Sequence, residues 1–130
     1  MIDKLAWIHI EDRKILGTRS KGKNVFYIPG GKREPGEGDE QALTREVKEE
    51  LSVDLIAHSI KPYGIFEAQA HGKAEGTIVR MTCFTADYSG KIDPDNEIEE
   101  LKWLTHKDRD ISPPVDILIL DDLKEKDLID

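Results

Sequence analysis

Glu46, Glu49 and Glu50 are the densest group of side chains in this chain with types and spacing suited to chemistry. They follow a turn rich in Gly and Pro, Gly30-Gly31-Lys32-Arg33-Glu34-Pro35-Gly36-Glu37. On a helix, each residue advances the wheel by about 100°, so the three carboxylates project within about 100° of arc. Leu43, Val47 and Leu51 fill the adjoining sector, so one face can be buried while its neighbour carries the acids. Acids at this spacing repel one another when exposed. Glu49 and Glu50, near the C-terminal end, also oppose the helix dipole. A hard divalent cation such as Mg²⁺ or Mn²⁺ prefers carboxylate and carbonyl oxygens and turns that repulsion into a binding site. A solvated, acid-rich helix face is the alternative that three acids alone leave open.

The longer spacing is more specific. Gly31, five residues, Glu37, seven residues, then Arg45-Glu46-Val47-x-Glu49-Glu50-x-Ser52-Val53 resembles the signature of the Nudix hydrolases, G-x5-E-x7-R-E-U-x-E-E-x-G-U with U aliphatic. Eight of the nine defined positions match within a box spanning residues 31–53. Ser52 stands where the pattern has Gly, at the helix exit, where a left-handed or tight turn is expected.

The resemblance implies an α/β/α sandwich, a mixed β-sheet between helices. It also implies MutT-like, metal-dependent hydrolysis of a diphosphate linkage in a nucleoside diphosphate derivative, with Mg²⁺ or Mn²⁺ as cofactor. Carried over by position, the metal ligands are the Gly30 carbonyl, Glu46, Glu49 and Glu50. Glu97, in the loop before Trp103, resembles a further ligand of MutT-type members, with Glu99 and Glu100 as competitors. Gly31 and Glu37 are structural within the box, Glu37 supporting the loop. Glu46 is the first choice for general base. Arg45, beside Glu49 at i+4, reads as an ion-pair partner that orients a carboxylate; contact with substrate phosphate is its alternative role. Arg45, Glu46 and Glu49 thus form the expected catalytic set. A catalytically silent, nucleotide-binding or sensor domain of Nudix type is the competing function, disfavoured by the complete ligand set.

Cations for the outer phosphates are sought at Arg19, Lys23 and Arg80, with Lys21 and Lys32 also eligible. Each competes with a solvated surface role. His71 is a candidate acid or base in a hairpin loop. Family members that clean up 8-oxo-dGTP read the purine with a polar residue near the last loop, often Asn. Here that region is Ser112-Pro113-Pro114-Val115, and Ser20 replaces a second arginine, so the substrate stays open among ordinary nucleoside triphosphates, oxidised ones, ADP-ribose and dinucleoside polyphosphates.

With 130 residues, 38% hydrophobic, the chain is expected to be one domain over residues 1–130 with a substantial core. Its net charge of −8 argues against long nucleic acid, whose sequence-independent affinity comes from Lys and Arg. A small phosphorylated substrate remains compatible, because bound divalent metal reverses the local field. No apolar run approaches a membrane span. The lone Cys83 lies in an apolar run and reads as a small buried hydrophobe. A cytoplasmic location is the expectation, and the family resemblance leaves a homodimer open.

These residues need elements to hold them. Leu5–Ile10 reads as a strand and Ile15–Arg19 as its hairpin return; Val25–Ile28 reads as a short strand stopped by Pro29. The acidic helix is expected over about Asp39–Leu51. Strands are expected at Ile60–Ala68 and Thr77–Ala86 around a loop at 69–76, and at Leu101–Leu104. Apolar residues at 115, 118, 119 and 123 predict a closing helix, packed on the sheet face opposite the acidic one.

Overall fold

The computed structural model describes residues 1–130. A four-stranded sheet lies at its centre: β1 (Ile2–Trp7), β4 (Gly30–Lys32), β6 (Lys61–Gln69) and β7 (Ile78–Thr85), in the order β4-β1-β7-β6. β1 and β7 run parallel, with Ile2 opposite Val79 and Trp7 opposite Phe84; the outer pairings are antiparallel, so the sheet is mixed. A second, three-stranded sheet joins β2 (Ile10–Glu11), β3 (Lys14–Ser20) and β9 (Ile98–Leu104). β5 (Asp54–Leu55) and β8 (Tyr88–Ser89) form a small ribbon.

The helices cover opposite faces. α1 (Asp39–Leu51) buries Ala42, Leu43, Val47 and Leu51 against Leu5, Trp7, Leu16 and Phe84. α2 (Pro114–Glu125) buries Val115, Ile119, Leu120 and Leu123 against Ala6, Val79, Met81 and Cys83. Strand alternation explains the division: along β1, Leu5 and Trp7 face α1 while Ile2 and Ala6 face α2. The result is the α/β/α sandwich expected from the sequence. Leu118, expected on the packed stripe of α2, is 41% exposed, and Leu120 takes its place. Cys83 is fully buried, and burial pushes its thiol up to about 12.

Two expected strands are displaced. The first ends at Trp7; Trp7 and Ile8 are both buried, which breaks alternation where the chain leaves one sheet for the other. The hairpin is therefore β2–β3, turned by Asp12 and Arg13 at positive φ, rather than a return of the first strand. Val25–Ile28 forms only a single bridge, Tyr27 to Thr18. Its amides go elsewhere, Phe26 N–H to the Ile111 carbonyl and Ile28 N–H to the Asp116 carboxylate, both 2.8 Å. The ladder resumes after Pro29 with Gly30 opposite Ala6 and Gly31 opposite Leu5. The polar segment after β9 is a short 3₁₀ helix, His106–Ile111, capped by Thr105.

Candidate active site

α1 begins at Gly38, with Asp39 and Glu40 in the first turn and Gln41 accepting from the Gly38 amide. It ends at Ser52, whose φ of 63° is the left-handed exit conformation expected there. Between these caps the helix lies against β4. Glu50 is 8% exposed and accepts a hydrogen bond from the Gly30 amide at 3.1 Å. The Glu46 carboxyl packs so closely on Gly31 that a Cβ added there would stand 2.5 Å from it. Gly30 itself has φ +147°, and a Cβ on it would meet the Leu5 carbonyl oxygen at 1.9 Å. Only glycine permits this approach of β4 to β1, which brings Gly30 within reach of the helix acids.

Arg45 organises the rest. It donates twice to Glu37, at 2.8 and 2.9 Å, and once to the Lys32 carbonyl. It also reaches Glu46 at 3.0 Å and Glu49 at 3.3 Å. These bonds raise its pKa, and they hold the Glu37 carboxyl down to about 2, aided by the Glu34 amide. Glu37 thus pins the Gly-Pro turn to the helix through Arg45.

Glu46 and Glu50 are shifted the other way. Burial raises both above the ordinary carboxyl range, Glu50 to about 8, and the charges of neighbouring acids reinforce this. Glu97 contributes to both shifts, so its charge stands close to them. The loop carrying it is anchored on the last turn of α1. The Asn96 side chain donates to the Glu49 carbonyl, and the Asp95 and Asp93 amides donate to the carbonyls of Glu50 and Leu51.

No three His, Cys, Asp or Glu side chains converge closely enough to hold a metal ion. Arg45 draws Glu46 and Glu49 to itself, and Glu50 turns to the Gly30 amide. The donor chemistry still fits a hard cation: three mutually repelling carboxylates, a fourth nearby at Glu97, and a glycine carbonyl on the adjoining strand.

Beside these acids a cavity of about 320 Å³ opens between the sheet and α2. Gly30, Gly31, Glu50 and Asp116 are among the residues that line it. Ile2, Ile28, Val79, Met81 and Val115 supply apolar wall. Tyr27 and His71 meet edge to face, with centroids 6.4 Å apart, where the loop after β3 nears the loop after β6. Lys4, Lys23, Lys32 and Lys73 complete the lining.

Of the expected phosphate-binding cations, the structure brings Lys23 and Lys32 to this cavity, but not Arg19, Lys21 or Arg80. Arg19 is committed to Glu99 and Glu100 at 3.0 Å each, and Arg80 to Glu67 at 2.7 Å across the β6–β7 pair. Sequence reasoning missed Asp116, which is 2% exposed and pushed up to about 7 by burial. Its signal was present: with Ile119, Leu120 and Leu123 it continues the i, i+3, i+4, i+7 face of α2. It also missed Lys4, which interrupts the inward-facing series Ile2, Lys4, Ala6 of β1.

No helix is long and apolar enough to cross a membrane. A NUDIX domain model matches residues 5–118. Over 128 residues the chain is 29% identical to the CTP pyrophosphohydrolase of Escherichia coli (strain K12), covering 93% of this chain and 90% of that protein. It is 29% identical over 103 residues to nucleoside triphosphatase NudI of Escherichia coli (strain K12), covering 73% of this chain and 72% of that one. The solution structure of the E. coli ORF135 protein superposes with a TM-score of 0.73 at 25% identity, over 95% of this chain and 90% of that chain.

Proposed function

The chain belongs to the NUDIX family, and from that premise we propose that it is a Mg²⁺- or Mn²⁺-dependent hydrolase of nucleoside triphosphates, working as one domain over residues 1–130. The observation that carries this is the docking of α1 on β4, which sets Glu46 and Glu50 against Gly30 and Gly31 beside a cavity with an apolar wall and lysines in its lining. The names of two relatives, a CTP pyrophosphohydrolase and a nucleoside triphosphatase, favour the triphosphate class.

In this scheme the Gly30 carbonyl, Glu46, Glu49 and Glu50 hold the cation, joined by Glu97. The cation, when bound, neutralises charge on the phosphate oxygens and lowers the pKa of the attacking water. Glu46 would accept the proton of the attacking water as general base. Arg45 keeps Glu46 and Glu49 in place through the contacts described above. Lys23, Lys32 and Lys73, all exposed at the cavity, meet the phosphates, while Arg19 and Arg80 stay with their carboxylate partners. The heterocycle enters the apolar compartment, where the Asp116 carboxyl faces its polar edge.

The test is a turnover screen of ribo- and deoxyribonucleoside triphosphates with each metal, with products separated by chromatography. Release of a nucleoside monophosphate and diphosphate ion is the expected result. No turnover of any triphosphate, ADP-ribose or dinucleoside polyphosphate would instead support a binding-only domain.

A further inference from the structure

We infer that Lys4 is a specificity-determining residue whose ammonium group donates to an acceptor atom on the nucleobase edge, beside Asp116. This rests on the triphosphate-hydrolase proposal for the ligand class, but its test does not need turnover.

The pairing pattern of the cations singles Lys4 out. All six arginines have a carboxylate within 4.0 Å. Lys4 has none within that distance and donates no hydrogen bond to the protein. Its ammonium nevertheless lies in the cavity, 5.6 Å from the centroid of the Tyr27 ring. Lys23, Lys32 and Lys73 are exposed, whereas Lys4 is half-buried. Burial lowers its pKa, and the charge of Asp116 works against that. A cation without a bonded partner among apolar walls is costly, so its donors suit a ligand atom.

Position decides which part of the ligand that is. Lys4 shares the α2-facing side of β1 with Ile2 and Ala6, whereas Glu46 and Glu49 belong to the helix on the other side. Its compartment holds Ile28, Val79, Met81 and Val115, which suit a flat heterocycle. Phosphate oxygens accept but do not donate, so a phosphate there would leave the Asp116 carboxyl, which lines the same cavity, without a matching partner. A base edge instead presents acceptor and donor atoms side by side. Lys4 supplies only donors, and Asp116, with one oxygen already taken by the Ile28 amide, supplies an acceptor.

The experiment measures binding by calorimetry, with Mg²⁺, of the α,β-methylene analogues of ATP, GTP, CTP and UTP, and of inorganic triphosphate, which has no base. For Lys4→Met, affinity for the preferred analogue is expected to fall about 10- to 100-fold. The spread among the four analogues should narrow, while inorganic triphosphate should stay within about twofold. An equal loss for inorganic triphosphate would overturn the inference in favour of a phosphate-binding or general electrostatic role. Unchanged affinity and unchanged ranking would also overturn it. Lys4→Gln carries the same comparison if the Met variant does not fold. Because the analogues resist cleavage, absence of catalysis in the turnover screen leaves this result interpretable.

Discussion

Replacing Asp116 with Asn should stabilise the metal-free protein above neutral pH. Burial lifts the Asp116 carboxyl from 3.8 to about 7. Between those values the native state keeps a proton that the unfolded chain has released, so stability is lost as pH rises through the window. At 1.36 kcal/mol for each tenfold change, the span sets a ceiling of about 4 kcal/mol at pH 8. Asp116 borders a cavity of about 320 Å³ that water can enter. Relaxation and water there reduce the penalty, leaving about 2 kcal/mol as the expected gain. An amide oxygen can still accept from the Ile28 N–H, so the backbone bond survives the change. For a domain of this size the gain corresponds to roughly 6–10 °C in Tm. The assay is thermal unfolding followed by circular dichroism in EDTA, at intervals from pH 4 to 8.5. Glu50, raised from 4.5 to about 8, slopes the curves of both proteins in the same direction. Their difference therefore isolates Asp116: near zero at pH 4, growing to its full value by pH 8. Curves that stay parallel over the whole range would refute the reasoning.

Gly31→Ala should abolish most activity while preserving the fold, because the new methyl group would occupy space held by the flexible end of Glu46. A kcat loss of about 100-fold with an unchanged far-ultraviolet spectrum is the expected outcome. Ser52→Gly should raise stability by about 1 kcal/mol, read as a higher Tm, by relieving a side chain held at φ 63°; only a 3.4 Å hydroxyl contact with Asp95 is lost. Glu49→Gln and Glu50→Gln should each lower kcat roughly 100-fold and weaken Mg²⁺ binding in titration calorimetry. Full turnover by both variants would reject the proposed ligand set.

The legible part of the site was the part built from local geometry. Glu46, Glu49 and Glu50 share a helical face because of their spacing alone, and Arg45 meets Glu49 for the same reason. The left-handed exit at Ser52 followed from the glycine that the signature has at that position. The second sheet was not legible, because Trp7-Ile8 carries no punctuation where the chain changes sheets. Val25–Ile28 has strand composition, yet its amides answer to Ile111 and Asp116, residues more than eighty positions away. Local propensity cannot register partners that tertiary packing delivers.

The same limit governs the choice of phosphate-binding cations. Arginine offers a planar fork that suits phosphate, which made Arg19 and Arg80 reasonable candidates. That fork suits carboxylate equally well, and in a chain with 27 acids against 19 basic residues the carboxylates lie nearer at hand. Cross-strand register decides the outcome: Arg80 stands opposite Glu67 and Arg19 opposite Glu100. A strand pair that places opposite charges face to face consumes the arginine before any ligand arrives. The cations left unpaired around the cavity are lysines, on the inner face of β1, on β4 and on the two loops at its mouth. In an acidic chain, therefore, the cations available to a substrate are those that register and loop geometry keep away from the protein's own carboxylates.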